Sequence, residues 1–492
     1  PPPRSSRPRR QPLSATAHAA APDASRGGDC MHVAASDSRS LLDDVYSNRC
    51  MPSGSKDRTL TWSGATVHVF KGNIGPGILA LPLNFQRVGV VQGIVITAIV
   101  SVQGIFTMHL LLRVQRAVMA SGSIHWEDTT YVRGEPLSFE QVGFAVLGRS
   151  GRVMVRFGLA ALQLGVCAVF IAFCATALRA LVSVSQIPAV LFVWAACAAL
   201  SLLPTLRSLV PLSIFGSVAM LIAIFTSLAT AVDDLLDGGP PDSDGPVSSS
   251  SLITRWGSAF ATTFYAFEGV GLVLPIENQL MRRPTPGASA AAAEGLPAGC
   301  FEALDYSHIL CGTMAIVATF FGLVGAFCAA AFPPITTASV TAFLASRGAY
   351  YEFVNVLVAS AVLLTFPLQL TPAAEVVEST LGLRSPTGLR VCRQLLVAGC
   401  ALFVLVVPSL DTLIDVMGAC ANTLLAALPC VFHAALTLRR LRSETEPEAM
   451  TLPVAGALAV DVAVVVFCAV VMIFGLRSAV LGASDDGNHT SV

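Results

Sequence analysis

Apolar residues gather along the chain into runs of roughly 18–25 residues, each long enough to cross about 30 Å of hydrocarbon. Eleven such runs fall at 64–86, 89–112, 153–180, 188–205, 208–232, 256–276, 309–332, 351–374, 389–408, 411–437 and 451–475. A span in lipid must satisfy its own backbone N–H and C=O groups, so each run is predicted to be helical. Residues 1–61 are rich in Pro, Ser and Arg, with few apolar positions, and read as a disordered tail. The transmembrane domain is thereby bounded at 62–475, with a low-complexity insertion at 282–300 and a short tail at 476–492. The stretch 139–152, FEQVGFAVLGRSGR, is mildly amphipathic and is expected on the inner membrane surface.

Two of the runs carry residues that a membrane helix tolerates poorly. In the first, HVFKGNIGPGILALPLNF (His68–Phe85), Gly72, Gly75 and Gly77 are weak helix formers and Pro76 has no N–H to donate. Proline is favoured at the first position of a helix. The pattern therefore predicts an unwound stretch at Gly72–Gly75 and a second half-helix opening at Pro76. The N–H groups and positive dipole end exposed there suit an anion. A continuous, kinked helix with glycines for close packing is the alternative. The sixth run, WGSAFATTFYAFEGVGLVLPIENQL, sets Glu268 just before Gly269 and Gly271 near mid-span. A glutamate at that depth must be protonated, paired or turned to a cavity. The two breaks are offset by five spans, so they occupy corresponding places in two five-helix halves. That is the mark of an inverted-repeat secondary transporter with its substrate at the membrane midplane.

Composition agrees: of 492 residues, 54% are hydrophobic and 12% charged, the balance of a polytopic membrane protein. The net charge of -1 says nothing about partners, and no nucleic acid is expected as one. Charge placement is more informative. With the N-terminus in the cytoplasm, 24 Lys and Arg residues face inward, and five (Arg87, Arg179, Arg255, Arg347 and Arg477) face outward. Without residues 1–63 the ratio is still 15 to 5. The positive-inside rule then puts the N-terminus in the cytoplasm and the C-terminal tail on the other side. The acidic loop Asp233–Asp244 and the sequon at Asn488 fall outside as well. The 13 cysteines lie mostly within apolar runs, where they act as small hydrophobes, and no CxxC pair occurs. Lys56 and Lys71 are the only lysines, which singles out the one inside a span. No HExxH, GxSxG or GxGD motif and no metal-ligand cluster occurs, so neither an enzyme nor a cofactor is expected.

HVFKGNIGPGILALPL resembles the first helix of the amino acid/auxin permease family, closest to its proton-coupled amino acid transporter branch. FEGVGLVLPIEN (Phe267–Asn278), QLTPAAEVVE (Gln369–Glu378) and VPSLDTLIDVMGA (Val407–Ala419) are similar to that branch's sixth-, eighth- and tenth-helix motifs. The resemblance implies an all-α integral membrane protein of 11 transmembrane helices, a five-plus-five inverted repeat with discontinuous helices 1 and 6. It also implies secondary transport of small neutral L-amino acids, often with protons, by a monomeric unit in the plasma membrane or a vacuolar or lysosomal membrane. The chain departs from the family at Pro76, where a small hydroxyl residue is usual, and has no outer-loop cysteines to bridge.

On this reading the backbone N–H groups of Gly75 and Gly77 bind the substrate carboxylate. Carbonyls at Gly72–Asn73 and around Phe267, beside Gly269, take the ammonium. Phe264, Tyr265 and Phe267 narrow the side-chain pocket, with ordinary packing as the competing role. His68 is the leading proton carrier because histidine changes charge near physiological pH; a hydrogen-bonded core histidine is the alternative. Lys71 stands where sodium-coupled relatives hold an ion, and Glu268 is a compatible partner for it. Glu277 and Asn278 read as gate or helix-end residues. Asp415 and Asp461, one near a helix end and one isolated, read as structural. An amino acid sensor with little flux is the competing function.

Overall fold

The computed structural model describes residues 61–121, 137–202, 210–238, 251–267, 269–280, 306–407, 409–442 and 452–489. The chain divides into two units, Pro1–Asn48 and Arg49–Val492, and every described residue belongs to the second. The N-terminal tail and the 282–300 insertion lie outside the described residues.

Every regular element among the described residues is helical. The first apolar run forms α1 (Trp62–Asn73), a 3-10 turn (Pro76–Ala80) and α2 (Leu81–Val88). Then come α3 (Val90–Ser121), α4 (Phe139–Leu147), α5 (Arg149–Val182), α6 (Gln186–Leu200) and α7 (Val210–Leu236). The sixth run forms α8 (Leu252–Ala266), a 3-10 turn (Gly269–Leu272) and α9 (Val273–Gln279). The rest comprises α10 (Tyr306–Ala331), the short α11 (Val340–Leu344), α12 (Ala349–Thr380) and α13 (Pro386–Val406). After these, α14 (Leu410–Met417) passes through a π turn (Gly418–Asn422) into α15 (Thr423–Leu441), and α16 (Leu452–His489) closes the chain.

Each predicted run thus falls on one helix or one interrupted helix. Among the described residues, nine helices are long and apolar enough to cross a membrane. Residues Gln186–Leu200 are apolar but shorter, and the 62–88 segment is interrupted. The helices overrun the apolar windows, most of all α16, which continues to His489, well past the expected end at 475. Hydropathy falls at Arg477, but no proline follows to stop the backbone ladder.

Small residues let the helices approach closely, as helix pairs in lipid require. The Phe85 ring of α2 lies where side chains at Gly93 of α3 and Gly325 of α10 would stand, 2.5 and 2.7 Å from the sites of their missing Cβ atoms. Gly158 of α5 receives Leu425, and Gly257 of α8 lies against the Phe474 backbone of α16. The long helices α5 and α12 pack along one another, with Cys174 donating to the Ala359 carbonyl. The amphipathic α4 turns at Gly148 directly into α5. It buries Phe139, Val142 and Val146, while its Glu140 faces Arg156 at 2.9 Å.

Candidate functional site

Both interruptions are real and they face each other. α1 stays helical through Asn73, whose side-chain amide donates to the Val69 carbonyl at 2.8 Å. Only Ile74 (φ -95°, ψ 95°) and Gly75 (φ -133°, ψ -170°) are extended, so the break is shorter than Gly72–Gly75. Pro76 opens the following turn, where its missing N–H leaves no bond unmade. In the sixth segment, α8 ends at Ala266 and Phe267 leaves helical geometry (φ -91°, ψ 57°). Glu268 lies outside the described residues, and the chain resumes in the turn at Gly269.

Three glycines form the contact between the breaks. A Cβ on Gly77 would stand 2.9 Å from Ala266 Cα and 3.1 Å from the Tyr265 ring. A Cβ on Gly269 would meet the Asn73 amide at 2.7 Å, and one on Gly72 would strike the Leu272 side chain. Gly75 differs: the space where its Cβ would go is open to at least 4 Å. Beside this contact is a cavity of about 10 Å³ lined by Val69, Asn73, Met108, Gly269, Leu272 and Tyr306, among others. It has room for about one water molecule. Asn73 Oδ1 and the Tyr306 hydroxyl, both buried, have no hydrogen-bond partner among the described residues.

The three aromatics expected to shape a pocket diverge. Tyr265 lies on Gly77, whereas the Phe264 ring meets Phe467 of α16 (centroids 6.0 Å apart) and Phe267 meets Phe321 of α10 (4.9 Å). Phe264 and Tyr265 are adjacent on α8 and point to different sides, and Phe267 follows after the helix has ended. His68 is exposed on α1, and Lys71, one turn on, is half-buried.

Polar ties close the assembly on both sides of the breaks. On the side of the α2–α3 turn, Arg87 of α2 donates to Asp411 of α14 at 2.5 Å and to Ser258 of α8 at 3.4 Å. Ser258 in turn donates to Asn84 (3.1 Å), Arg255 donates to the Arg87 carbonyl (3.2 Å), and Thr262 donates to the buried Asp415 (2.7 Å). On the opposite side Arg116 of α3 reaches Glu277 of α9 at 3.4 Å. There Gln115 donates to Asn278 (3.0 Å), and both donate to the Leu137 carbonyl. The π turn joins the site directly, because Asn422 donates to the carbonyl of Phe264 in the last turn of α8. Asp415 and Asp461 were visible as acids inside spans. Their partners Thr262 and His433, and the role of Asn422, had no local signal, since each contact bridges separate helices.

The family model described as "Transmembrane amino acid transporter protein" matches residues 58–293 and 301–480. The chain belongs to the transmembrane amino acid transporter family. Among its relatives, amino acid transporter AVT3A of Arabidopsis thaliana is 28% identical over 388 residues, spanning 76% of this chain and 82% of the relative. The proton-coupled amino acid transporter-like protein pathetic of Drosophila melanogaster is 23% identical over 395 residues, spanning 74% and 75%. Of solved structures, the inward-facing conformation of Mhp1 superposes with a TM-score of 0.51 at 16% identity, covering 88% of this chain and 92% of Mhp1. MhsT in complex with L-phenylalanine gives 0.50 at 10% identity, covering 86% and 100%. The permease-family protein therefore has the expected all-α membrane-transporter fold, with discontinuous first and sixth segments. It is a multi-pass membrane protein of a transporter family rather than an enzyme family.

Proposed function

We propose that the protein is a secondary active transporter of small neutral L-amino acids, driven by protons and built of eleven spans with a cytoplasmic N-terminus. The substrate binds at the midplane, between the α1–α2 and α8–α9 breaks. The observation that carries this reading is the contact of the two broken segments through Gly72, Gly77 and Gly269, beside the open face of Gly75. Backbone N–H groups at Gly75 and Gly77 take the carboxylate at the positive end of the half-helix. Carbonyls at Gly72–Asn73 and near Phe267 take the ammonium. Tyr265 is the aromatic best placed to sense the substrate side chain, with Phe264 and Phe267 shaping the walls behind it.

For coupling, Lys71 supplies a fixed cation where a sodium-driven carrier would need oxygen ligands and room for an ion. Glu268 serves as its acid, and His68 exchanges protons at the exposed face of α1. The relative named as proton-coupled supports this choice of ion. The test is uptake of labelled amino acids, beginning with L-alanine, into liposomes with an imposed pH gradient, in sodium and in choline medium. Uptake that follows the pH gradient and ignores sodium is expected. A sodium requirement, or indifference to collapse of the gradient, removes proton coupling and leaves the fold and family intact. Saturable binding without flux turns the reading to a sensor.

A further inference from the structure

A second titratable pair lies away from the breaks. Asp461 is 1% exposed, although it sits on α16, a helix whose apolar faces are largely exposed. Its Oδ2 lies 2.6 Å from His433 Nδ1 on α15, and its Oδ1 is buried with no hydrogen-bond partner among the described residues. Asp461 is nine residues past the start of α16 and His433 eight before the end of α15, so both lie about 12–14 Å in from those ends. That depth is inside the hydrocarbon layer. Intramembrane ionisable residues are costly and rare, and they mark ion and proton paths when they pair across helices.

The neighbouring helices commit their own charges elsewhere. On α15 the buried thiol of Cys430 lies near the carboxylate, with the buried thiol of Cys468 on α16 near Cys430 in turn; Arg439 and Arg440 lie at the end of α15, in its last turn. On α4, Glu140 is held by Arg156 of α5, with Arg152 at 3.9 Å. On α3, Arg116 reaches Glu277, and His109 bonds Ser307 and Arg113. On α8, Arg255 is bonded at the far end and Tyr265 faces Gly77. On α14, Asp411 and Asp415 are held by Arg87 and Thr262.

We propose that His433 and Asp461 form a second proton-binding site, at the α15–α16 interface, whose occupancy is transmitted along α15 to the break after α8. This rests on the proton-coupled reading above and adds a site to it. With one shared proton the pair is neutral overall, and without it a bare buried carboxylate remains. The proton comes from the more acidic compartment and leaves to the other, with no redox step. His433 is the more open member of the pair, 17% exposed against 2% for the Asp461 side chain. Transmission has a physical route. From His433, α15 runs back through the internal Pro429 to the π turn, whose Asn422 holds the Phe264 carbonyl. Gly418 of that turn lies against the Ala261 carbonyl of α8, and Gly475 of α16 packs against Ala419 and Ala261. A π turn is a place where a helix shifts register at low cost, and such turns occur frequently at functional sites.

The test compares two modes in liposomes with labelled L-alanine: accumulation driven by a pH gradient, and exchange at equal pH on both sides. Asp461→Asn keeps the shape and one hydrogen bond. It is expected to lower gradient-driven accumulation about tenfold, within the range of coupling between sites, while exchange falls no more than about twofold. Unaltered gradient-driven accumulation in Asp461→Asn overturns the site. An equal loss of both modes in a protein of normal thermal midpoint also overturns it, because the pair is then structural or part of transport itself. Should Asp461→Asn fail to insert, His433→Gln decides: a shifted or flattened pH profile supports the site and an unchanged one overturns it. If the wild-type protein itself ignores the pH gradient, the proton-coupled reading fails, which is distinct from failure of this pair alone.

Discussion

At the scale of single residues, Gly75 and Gly77 look alike in the sequence and differ in the structure. A side chain at 77 has nowhere to go, because the backbone of Ala266 stands 2.9 Å from the position of its Cβ. At 75 the same atom points into open space. Gly77→Ala should therefore lower stability by about 1–3 kcal/mol, the usual cost of overpacking, and Gly77→Val should abolish uptake in a protein that still inserts. Gly75→Ala should fold with a change of no more than about 0.5 kcal/mol, yet weaken uptake by crowding the approach to the N–H groups. Thermal unfolding in detergent beside liposome uptake separates the two. An equal loss of stability in both alanine variants would show that the two positions are packed alike.

At the scale of elements, breaking two helices creates four half-segments that must be held in register, and the polar ties do this. Arg87 and Asp411 join α2 to α14, with Ser258 of α8 buried beneath them. The two side chains remain 25% and 21% exposed, so the pair contributes no more than about 1 kcal/mol. That is enough to bias an opening. In a Ser258→Cys background, Arg87→Ala should raise labelling of the new thiol by an impermeant reagent about two- to fivefold, and Asp411→Ala should do the same. Their double variant should match either single one, since both remove one contact. Additive increases would show that the two residues act separately.

At the scale of the whole molecule, the interrupted segments lie inside a scaffold of long helices, and the proposed orientation rests on where the arginines fall. With the N-terminus cytoplasmic, an epitope placed before residue 61 should react with antibody only after permeabilisation. One placed within 239–250, after α7, should react on the intact membrane. The reverse pattern would invert the assignment of the two polar ties to the two faces of the membrane. The same orientation puts the Arg87–Asp411 tie on the non-cytoplasmic side and the Arg116–Glu277 tie on the cytoplasmic side.

The helical class, the positions of the spans, the break at Pro76 and the break near Glu268 were legible in the sequence by itself. Each depends on local chemistry: span length against bilayer thickness, and the inability of proline and the reluctance of glycine to continue a helix. The residues that could serve the site were legible as types as well, down to the glycines and the acids inside spans. Which of them meet was not. That Phe264, Tyr265 and Phe267 turn to three different neighbours follows from how the end of α8 sits against α16, the Pro76–Ala80 turn and α10. That Gly77 is packed while Gly75 is open, that Asn73 reaches Gly269, and that Asp461 finds His433 also depend on how separate helices cross. Only the tertiary structure decides such contacts, because helix crossing is set by packing across distant parts of the chain, and no local pattern encodes it.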